Sequence, residues 1–435
     1  MSEMKPFQII LLSVFGLVAL LGLFLFANFQ GFGRNADAVG TVTIWGTLPQ
    51  RSFDATLNEL KDARKEYANV SYVERQASTF NADLADAIAS GSGPDLILIS
   101  QEELVGEVTR LTLVPYSSIS ERTFRDSYLP VFELFLTSGG TYGIPFAVDP
   151  LMLFYNRTLL ATAGAARPPA TWEAVTGLSP AITRATDAQT VTRSLVPLGT
   201  YQNVTNARAI LSLLFFQSGN GVSGGSLEGG LSSTLAASGS ESYGSTPVES
   251  ALNFYTEFAN PAKTTYTWNR SLPESRQMFL TGDLALYPGF ASEQRALASA
   301  NPNLDFDMAP MPQPGTATVR TAYARAYAFA LPKASRNTSG AYEVALALAG
   351  KGVNAAFARS LGMAPASRAD LTPSNASIFE PVFYPEALTA KGWLSPLPGR
   401  TDAIFAAMID NVNSGRQSVK QALSTADQAL TAAFR

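Results

Sequence analysis

Neither histidine nor cysteine occurs among the 435 residues of this chain. That removes imidazole bases, thiol nucleophiles, cysteine-based zinc sites and iron–sulfur clusters. Any metal would have oxygen ligands only, which leaves calcium or magnesium. Acid–base work would fall to Asp, Glu, Lys or Tyr. Asp and Glu number 35, so a glycosidase built on two carboxylates stays open, although no paired-carboxylate motif stands out. What remains is recognition chemistry, in which aromatic faces stack and planar polar groups form paired hydrogen bonds. Trp45 closes an apolar run, Trp268 sits in a polar stretch, and Trp393 lies in a loop before prolines. Arg325 alternates with Tyr323 and Tyr327, which puts all three on one face if the segment is a strand. Trp172 falls in the first turn of a helix capped by Thr171, and reads as structural. Asp95 follows Gly93-Pro94 at a strand start, where a short carboxylate bonds backbone amides rather than a ligand.

The elements that must position these residues open as β-α-β-α-β. Thr41 to Trp45 is β-branched and aromatic; Phe53 to Tyr67 is apolar at helical spacing; Val70 to Val73 is a second strand. Asn81 to Ala89 reads as a helix, and Asp95 to Ile99 as a buried parallel strand. The order predicts an α/β fold whose parallel or mixed sheets are covered by helices, with ligands at the carboxyl ends of the strands. The loops there are Gly46 to Arg51, carrying Gln50, and Ser100 to Glu103, carrying Gln101. Further on, Thr141 to Asn156 reads as two extended stretches around Val148-Asp149-Pro150. Ser218 to Ser250 is rich in Gly and Ser and reads as a long loop. Leu284 to Tyr287 and Tyr323 to Leu331 read as strands, with the proline-dense Pro310 to Gly315 as a crossing segment between them. Beyond Ser339 the pattern is mostly helical.

Ile9 to Ala27 is uncharged and apolar over roughly 19 residues, enough to span a bilayer. An uncleaved membrane anchor is expected, with residues 1–8 cytoplasmic, 28–40 a linker and the remainder exported. A cleaved signal peptide is the alternative, with Ala36-Asp37-Ala38 as its small-residue site. A lipid anchor would need a cysteine. The net charge of −4 gives no footprint for nucleic acid.

Six stretches in one order carry a resemblance to a known family: VTIWG (42–46), GSGPDLIL (91–98), YGIPFAVDPLMLFYNRTLL (142–160) followed by PPATWEAV (168–175), FLTGDLALYPG (279–289), AYAFALPKAS (326–335) and GMAPASRADL (362–371). Together they resemble the extracellular solute-binding proteins of ABC importers that include maltose-binding protein. The resemblance implies a two-lobed, type II periplasmic-binding-protein-like fold that hinges shut on its ligand. It implies crossings near Ala147 to Leu153, Pro310 to Pro314 and Gly362 to Ser367. Lobe 1 is then expected over 41–148 and 315–366, and lobe 2 over 149–314 and 367–435.

By resemblance the ligand is a small polar solute, a mono- or oligosaccharide, and no cofactor is implied. The partners are importer permease subunits, and the membrane through the N-terminal helix. Asp149 falls where the family places an acidic ligand contact. Phe146, Gly289 and Phe290 flank the first crossing and the glycine turn. Together with Trp45, Gln50, Gln101, Trp268, Arg325 and Trp393 they make up the expected binding set. Phe290 stands where the family commonly has tryptophan, so maltose recognition is not closely copied. A ligand-sensing subunit for a signalling partner, the carboxylate glycosidase, and a binder of amino acids, peptides, polyamines or a metal ion remain as rival readings, the missing His and Cys disfavouring transition metals.

Overall fold

The β-branched run Val42–Gly46 (β1) forms a strand, and the amphipathic Gln50–Ala63 (α1) follows it, burying Phe53, Leu57 and Leu60 on one face. Val70–Glu74 (β2), Phe80–Ala89 (α2) and the wholly buried Leu96–Ser100 (β3) complete the opening pattern. β1 pairs in parallel with both β2 and β3, as the alternating pattern predicts. These coordinates come from a computed structural model that describes residues 39–186, 190–236, 245–375 and 377–435. The apolar run Ile9 to Ala27 expected as an anchor lies outside them, and among the described residues no helix is long and apolar enough to cross a membrane.

After β3 comes the short helix Gln101–Glu107 (α3) and then Ile144–Asn156 (β4), the strand that organises the rest. The two extended stretches expected here are one continuous strand of 13 residues. Its first half pairs antiparallel with Ala322–Pro332 (named β7 below), as far as Pro150 opposite Ala324. From Leu151 onward it pairs instead with Leu286–Phe290 (β5) and Phe306–Pro310 (β6). β4 therefore passes from one set of strands to another at Pro150, where the missing N–H weakens a ladder least. Among the described residues the sheet has ten strands, with the principal order β5-β4-β7-β3-β1-β2.

The hand-over at Pro150 lies within the stretch Ala147 to Leu153, and the first residues of the strand that follows the proline-dense stretch, Ala322 and Tyr323, pair with Ala390 and Lys391. β6 ends at Pro310, and the chain reaches Ala322–Pro332 (β7) through the proline-dense stretch. Ala364 and Pro365 pair with Val148 and Ala147 of β4. The result is a two-lobed α/β molecule with a curled mixed sheet. One core gathers Val42, Ile44, Phe53, Phe146, Phe329 and Phe357. A larger one runs from Trp45 and Phe80 to Phe215, Trp268, Tyr287 and Phe405.

Part of the Gly/Ser-rich segment departs from the loop expected of it. Ser223–Ser226 and Gly230–Ser233 form an antiparallel hairpin. A ladder uses backbone groups, so small side chains do not forbid it. At Gly225 (φ 101°) a Cβ would stand 2.2 Å from the carbonyl oxygen of Gly230, so glycine permits the close approach.

Candidate functional site

The carboxyl end of β3 is the place where such a sheet offers a ligand site. Ser100 ends the strand and caps α3. Its Oγ accepts from the Glu102 N–H at 3.2 Å, while the Glu103 carboxylate accepts from the Ser100 N–H at 2.8 Å. That capping box fixes the first turn and sends three successive polar side chains three ways. Glu103 turns back onto the cap. Gln101 reaches β7, accepting from the Ala326 N–H at 2.7 Å and donating to the Ala324 carbonyl at 3.3 Å. Glu102, only 2 % exposed, points into the interior.

There Glu102 meets two arginines and a tyrosine. Its Oε1 accepts from the Tyr323 hydroxyl. Its Oε2 accepts from Arg208 Nη2 at 2.7 Å and lies 3.3 Å from Arg325 Nε. Arg208 stands in the first turn of Ala207–Gln217 (α4), a helix otherwise apolar except for Ser212 and the terminal Gln217. Its Nη1 pairs with Asp402 at 2.9 Å and donates to the Pro398 carbonyl at 3.0 Å. Asp402 in turn accepts from the Tyr201 hydroxyl. The Arg325 guanidinium also lies over the Phe290 ring, 4.2 Å from its centroid, a cation–π contact.

Burial pushes the Glu102 carboxyl up, but Arg208, Arg325 and the hydroxyl of Tyr323 outweigh it and hold the pKa down at about 2. Glu102 is therefore ionised at neutral pH. Burial, and then the Glu102 charge, push Glu103 the other way. Two guanidiniums face the carboxylates of Glu102 and Asp402, with the carboxyl groups of Glu103 and Asp149 at the edge of the group.

The structure brings Gln101, Phe290 and Arg325 of the expected set to this group. Asp149 is adjacent, opposite Arg325 in the β4–β7 register. Both its oxygens are engaged by Ser292, accepting from the N–H at 3.0 Å and from Oγ at 2.6 Å. Burial raises its pKa to about 7 against those bonds. Asp149 thus ties the crossing strand to the turn after β5. Gly289 lies on β5, where a Cβ would stand 2.6 Å from Tyr287 Cε1; it gives room to an aromatic ring.

The remaining expected residues are held elsewhere. Phe146 and Trp268 are fully enclosed, so they are core residues in this state. Phe146 packs on Phe53, Phe329 and Phe357, and Trp268 donates to Asn203 Oδ1 at 3.2 Å. Trp393 stacks on Phe405 and donates to Ser212 Oγ at 3.0 Å. The Trp45 ring carries the Arg75 guanidinium 3.7 Å from its centroid. Gln50 is exposed and exchanges contacts with Glu74. Asp95 and Trp172 are structural, as their positions in the sequence imply. Asp95 accepts from the Thr43 and Asn337 amides, and the Trp172 indole donates to Gln217. A separate groove of about 640 Å³, lined by Trp172, Phe254 and Pro314 among others, contains none of the residues around Glu102.

Glu102, Arg208, Asp402 and Tyr201 were not singled out from the sequence. Arg208 had a signal, being the only charge in ARAILSLLFFQ (207–217). A lone arginine in an apolar helix needs a buried partner.

Comparison with known proteins agrees with this fold. The family model of bacterial extracellular solute-binding proteins matches residues 50–355. A cyclo/maltodextrin-binding protein complexed with maltotetraose superposes with a TM-score of 0.70 at 17% identity, over 92% of this chain and 98% of that one. A cyclic α-maltosyl-1,6-maltose binding protein from Arthrobacter globiformis gives 0.71 at 18% identity, over 91% and 98%. An ABC transporter solute-binding protein from Thermotoga lettingae bound with α-D-tagatose gives 0.67 at 18% identity, over 91% and 100%. At these identities the likeness shows the shared fold. A curated relative from Brucella abortus, named as a binding protein, is 29% identical over 91 residues, or 21% of this chain. That alignment spans only 22% of the relative's own length.

Proposed function

We propose that this chain, which belongs to the family of bacterial extracellular solute-binding proteins, binds a sugar or oligosaccharide outside the cytoplasm and delivers it to an ABC importer. Lobe 1 is 41–148 with 315–366, lobe 2 is 149–314 with 367–435, and the two close over the ligand about β4. The apolar run 9–27 holds the protein to the membrane. The chain binds its ligand and does not turn it over.

One observation carries the choice of ligand. At the carboxyl edge of β3, two guanidinium forks, two carboxylates and an aromatic ring converge. Sugar hydroxyls both donate and accept, and sugar rings have an apolar face, so a sugar meets all three kinds of group. Several structural neighbours are described with bound oligosaccharides, which supports the same reading.

The test is thermal unfolding of the purified chain against sugars, polyols, amino acids, peptides and polyamines. A ligand of the folded state raises the midpoint as its free concentration exceeds its dissociation constant. A sugar is expected to raise it, and Phe290→Ala is expected to weaken that shift. A shift produced by amino acids or polyamines and by no sugar refutes the assignment.

A further inference from the structure

We propose that the groove of about 640 Å³ beside Trp172 is a second binding site, separate from the polar group around Glu102, and that its ligand is a small organic cation: a protonated amine or a guanidinium on an apolar stem. The proposal goes beyond the sugar reading and does not rest on it.

Three helices and one crossing segment build the walls. Trp172, Glu173 and Thr176 come from the start of the helix Trp172–Ile182. Ser250, Ala251, Phe254 and Glu257 recur at three- or four-residue spacing along the helix Pro247–Glu257, so they share one face. Leu214 and Gln217 come from the last turn of α4, and Pro314 from the proline-dense stretch. Arg208 stands at the other end of α4, about 13 Å away along the helix axis. The walls are tied to one another. The Trp172 N–H donates to the Gln313 carbonyl at 3.0 Å, and Gln217 Nε2 to the Pro312 carbonyl at 2.8 Å. The Glu173 carboxylate accepts from the Gly315 N–H at 3.0 Å. A pre-formed hollow of this volume has the size of a small-molecule site.

The polar atoms of the walls select the charge of the ligand. Their donors are engaged within the protein. The Trp172 indole donates to Gln217 Oε1 at 2.7 Å and the Thr176 hydroxyl to the Glu173 carbonyl at 2.9 Å. The Ser218 hydroxyl donates to the Phe215 carbonyl at 2.7 Å and that of Ser250 to the Thr246 carbonyl at 3.2 Å. The exposed Thr316 is the exception among the described residues. What is left for a ligand is acceptor capacity, and it is anionic. Glu173 and Glu257 both line the groove, no lysine or arginine does, and neither carboxylate forms an ion pair among the described residues. Lys263 lines a neighbouring hollow that shares Glu257, without pairing to it.

An anion in this groove would face two carboxylates and no cation. A cation meets both carboxylates and an aromatic corner, because Trp172 and Phe254 stand at 62° with their centroids 5.4 Å apart. Ring faces attract cations, and Leu214, Ala251 and Pro314 offer apolar surface to a stem. Surface carboxylates by themselves are ordinarily just solvated. Here two of them share one concavity with two aromatic rings, and that combination recognises an organic cation.

Calorimetric titration of the full chain in detergent tests this. The probes are phenethylamine and agmatine, with 2-phenylethanol and phenylacetate as the neutral and anionic counterparts of the first. At least one amine is expected to bind at a single site, and both counterparts much more weakly. Glu257→Gln keeps size and removes charge. It should weaken the amine by about two- to fivefold, the weight of a part-exposed ion pair. Ala251→Phe, which fills the groove, should abolish binding; if it does not fold, Glu257→Gln decides. Absence of heat from both amines at about 10 mM, where ligands this small bind, overturns the site. So does 2-phenylethanol binding as well as phenethylamine, since the groove would then select no charge. Phe290→Ala locates the amine. If that substitution removes binding and Glu257→Gln leaves it unchanged, the amine sits around Glu102 and the second site falls. Titration with maltotetraose keeps the two readings apart. Amine binding that depends on Glu257 stands even if no sugar binds, and sugar binding unaffected by Glu257→Gln stands even if no amine does.

Discussion

Asp149→Asn should flatten the dependence of stability on pH between 5 and 8. Burial raises the Asp149 carboxyl from its ordinary 3.8 to about 7. In the folded chain it holds its proton where the unfolded chain has lost it. Stability rises with pH only where the unfolded state binds more protons, and here the folded state binds more. The contribution is therefore fully present below 3.8 and is lost as pH rises through about 7. From pH 5 to pH 8 the loss is roughly 2.5 kcal/mol, at about 1.36 kcal/mol per pKa unit. For a unit of this size, that lowers the unfolding midpoint by about 3 °C.

The window is unusually clear. With no histidine and no cysteine in the chain, what titrates between pH 5 and 8 is the α-amino terminus, which the substitution does not touch, and buried carboxylates with raised pKa. Asparagine is nearly isosteric with aspartate, its Oδ1 still accepts the Ser292 N–H, and its amide donates to Ser292 Oγ, which can turn to accept. The assay is thermal or urea unfolding of parent and variant at half-unit steps. The midpoint of the parent should fall across the window relative to the variant. A difference that stays constant from pH 5 to 8 refutes the claim that burial dominates over the Ser292 bonds.

Two further predictions concern the frame around the cleft. Gln101→Ala removes the partners of the Ala326 N–H and the Ala324 carbonyl in a buried strand. It should cost about 1–3 kcal/mol by urea unfolding, and a loss below about 0.5 kcal/mol would show that neither bond matters. Gly289→Ala places a methyl 2.6 Å from Tyr287 and 3.0 Å from Phe154. About 1–3 kcal/mol of overpacking is expected, and an unchanged midpoint would mean that both rings move aside freely.

The order of elements was legible because each opening element has its own period. DLILI (95–99) reads as a buried strand and NADLADAIA (81–89) as a helix from spacing alone, and both form close to those bounds. Pairing was less legible. In the sequence, Pro150 looked like an interruption between two extended stretches. In the sheet it lies where β4 exchanges one set of partners for another, which is a tertiary fact. The hairpin at 223–233 was hidden for a different reason. Its ladder is held by backbone groups, and Gly and Ser carry no hydrophobic alternation to announce it.

The candidate site was legible as a neighbourhood and not as a set of contacts. Ser100 to Glu103 follows a parallel strand, which is what points to a ligand loop, and the polar cluster forms there. Gln101, Glu102 and Glu103 are three adjacent polar residues of similar reach, and composition ranks none above another. The capping box separates them: with Glu103 held at Ser100, the pitch of about 100° per residue carries Glu102 inward and Gln101 toward β7. The tryptophans misled for the converse reason. An aromatic in a polar stretch can stack on a ligand or fill a core, and only the surrounding fold chooses. At Trp268 and Trp393 the buried indole N–H groups find Asn203 and Ser212, so each position is satisfied internally. A charge in an apolar helix is the better guide. It cannot be satisfied by packing, so Arg208 had to imply a carboxylate from elsewhere in the chain, and Glu102 and Asp402 supply it.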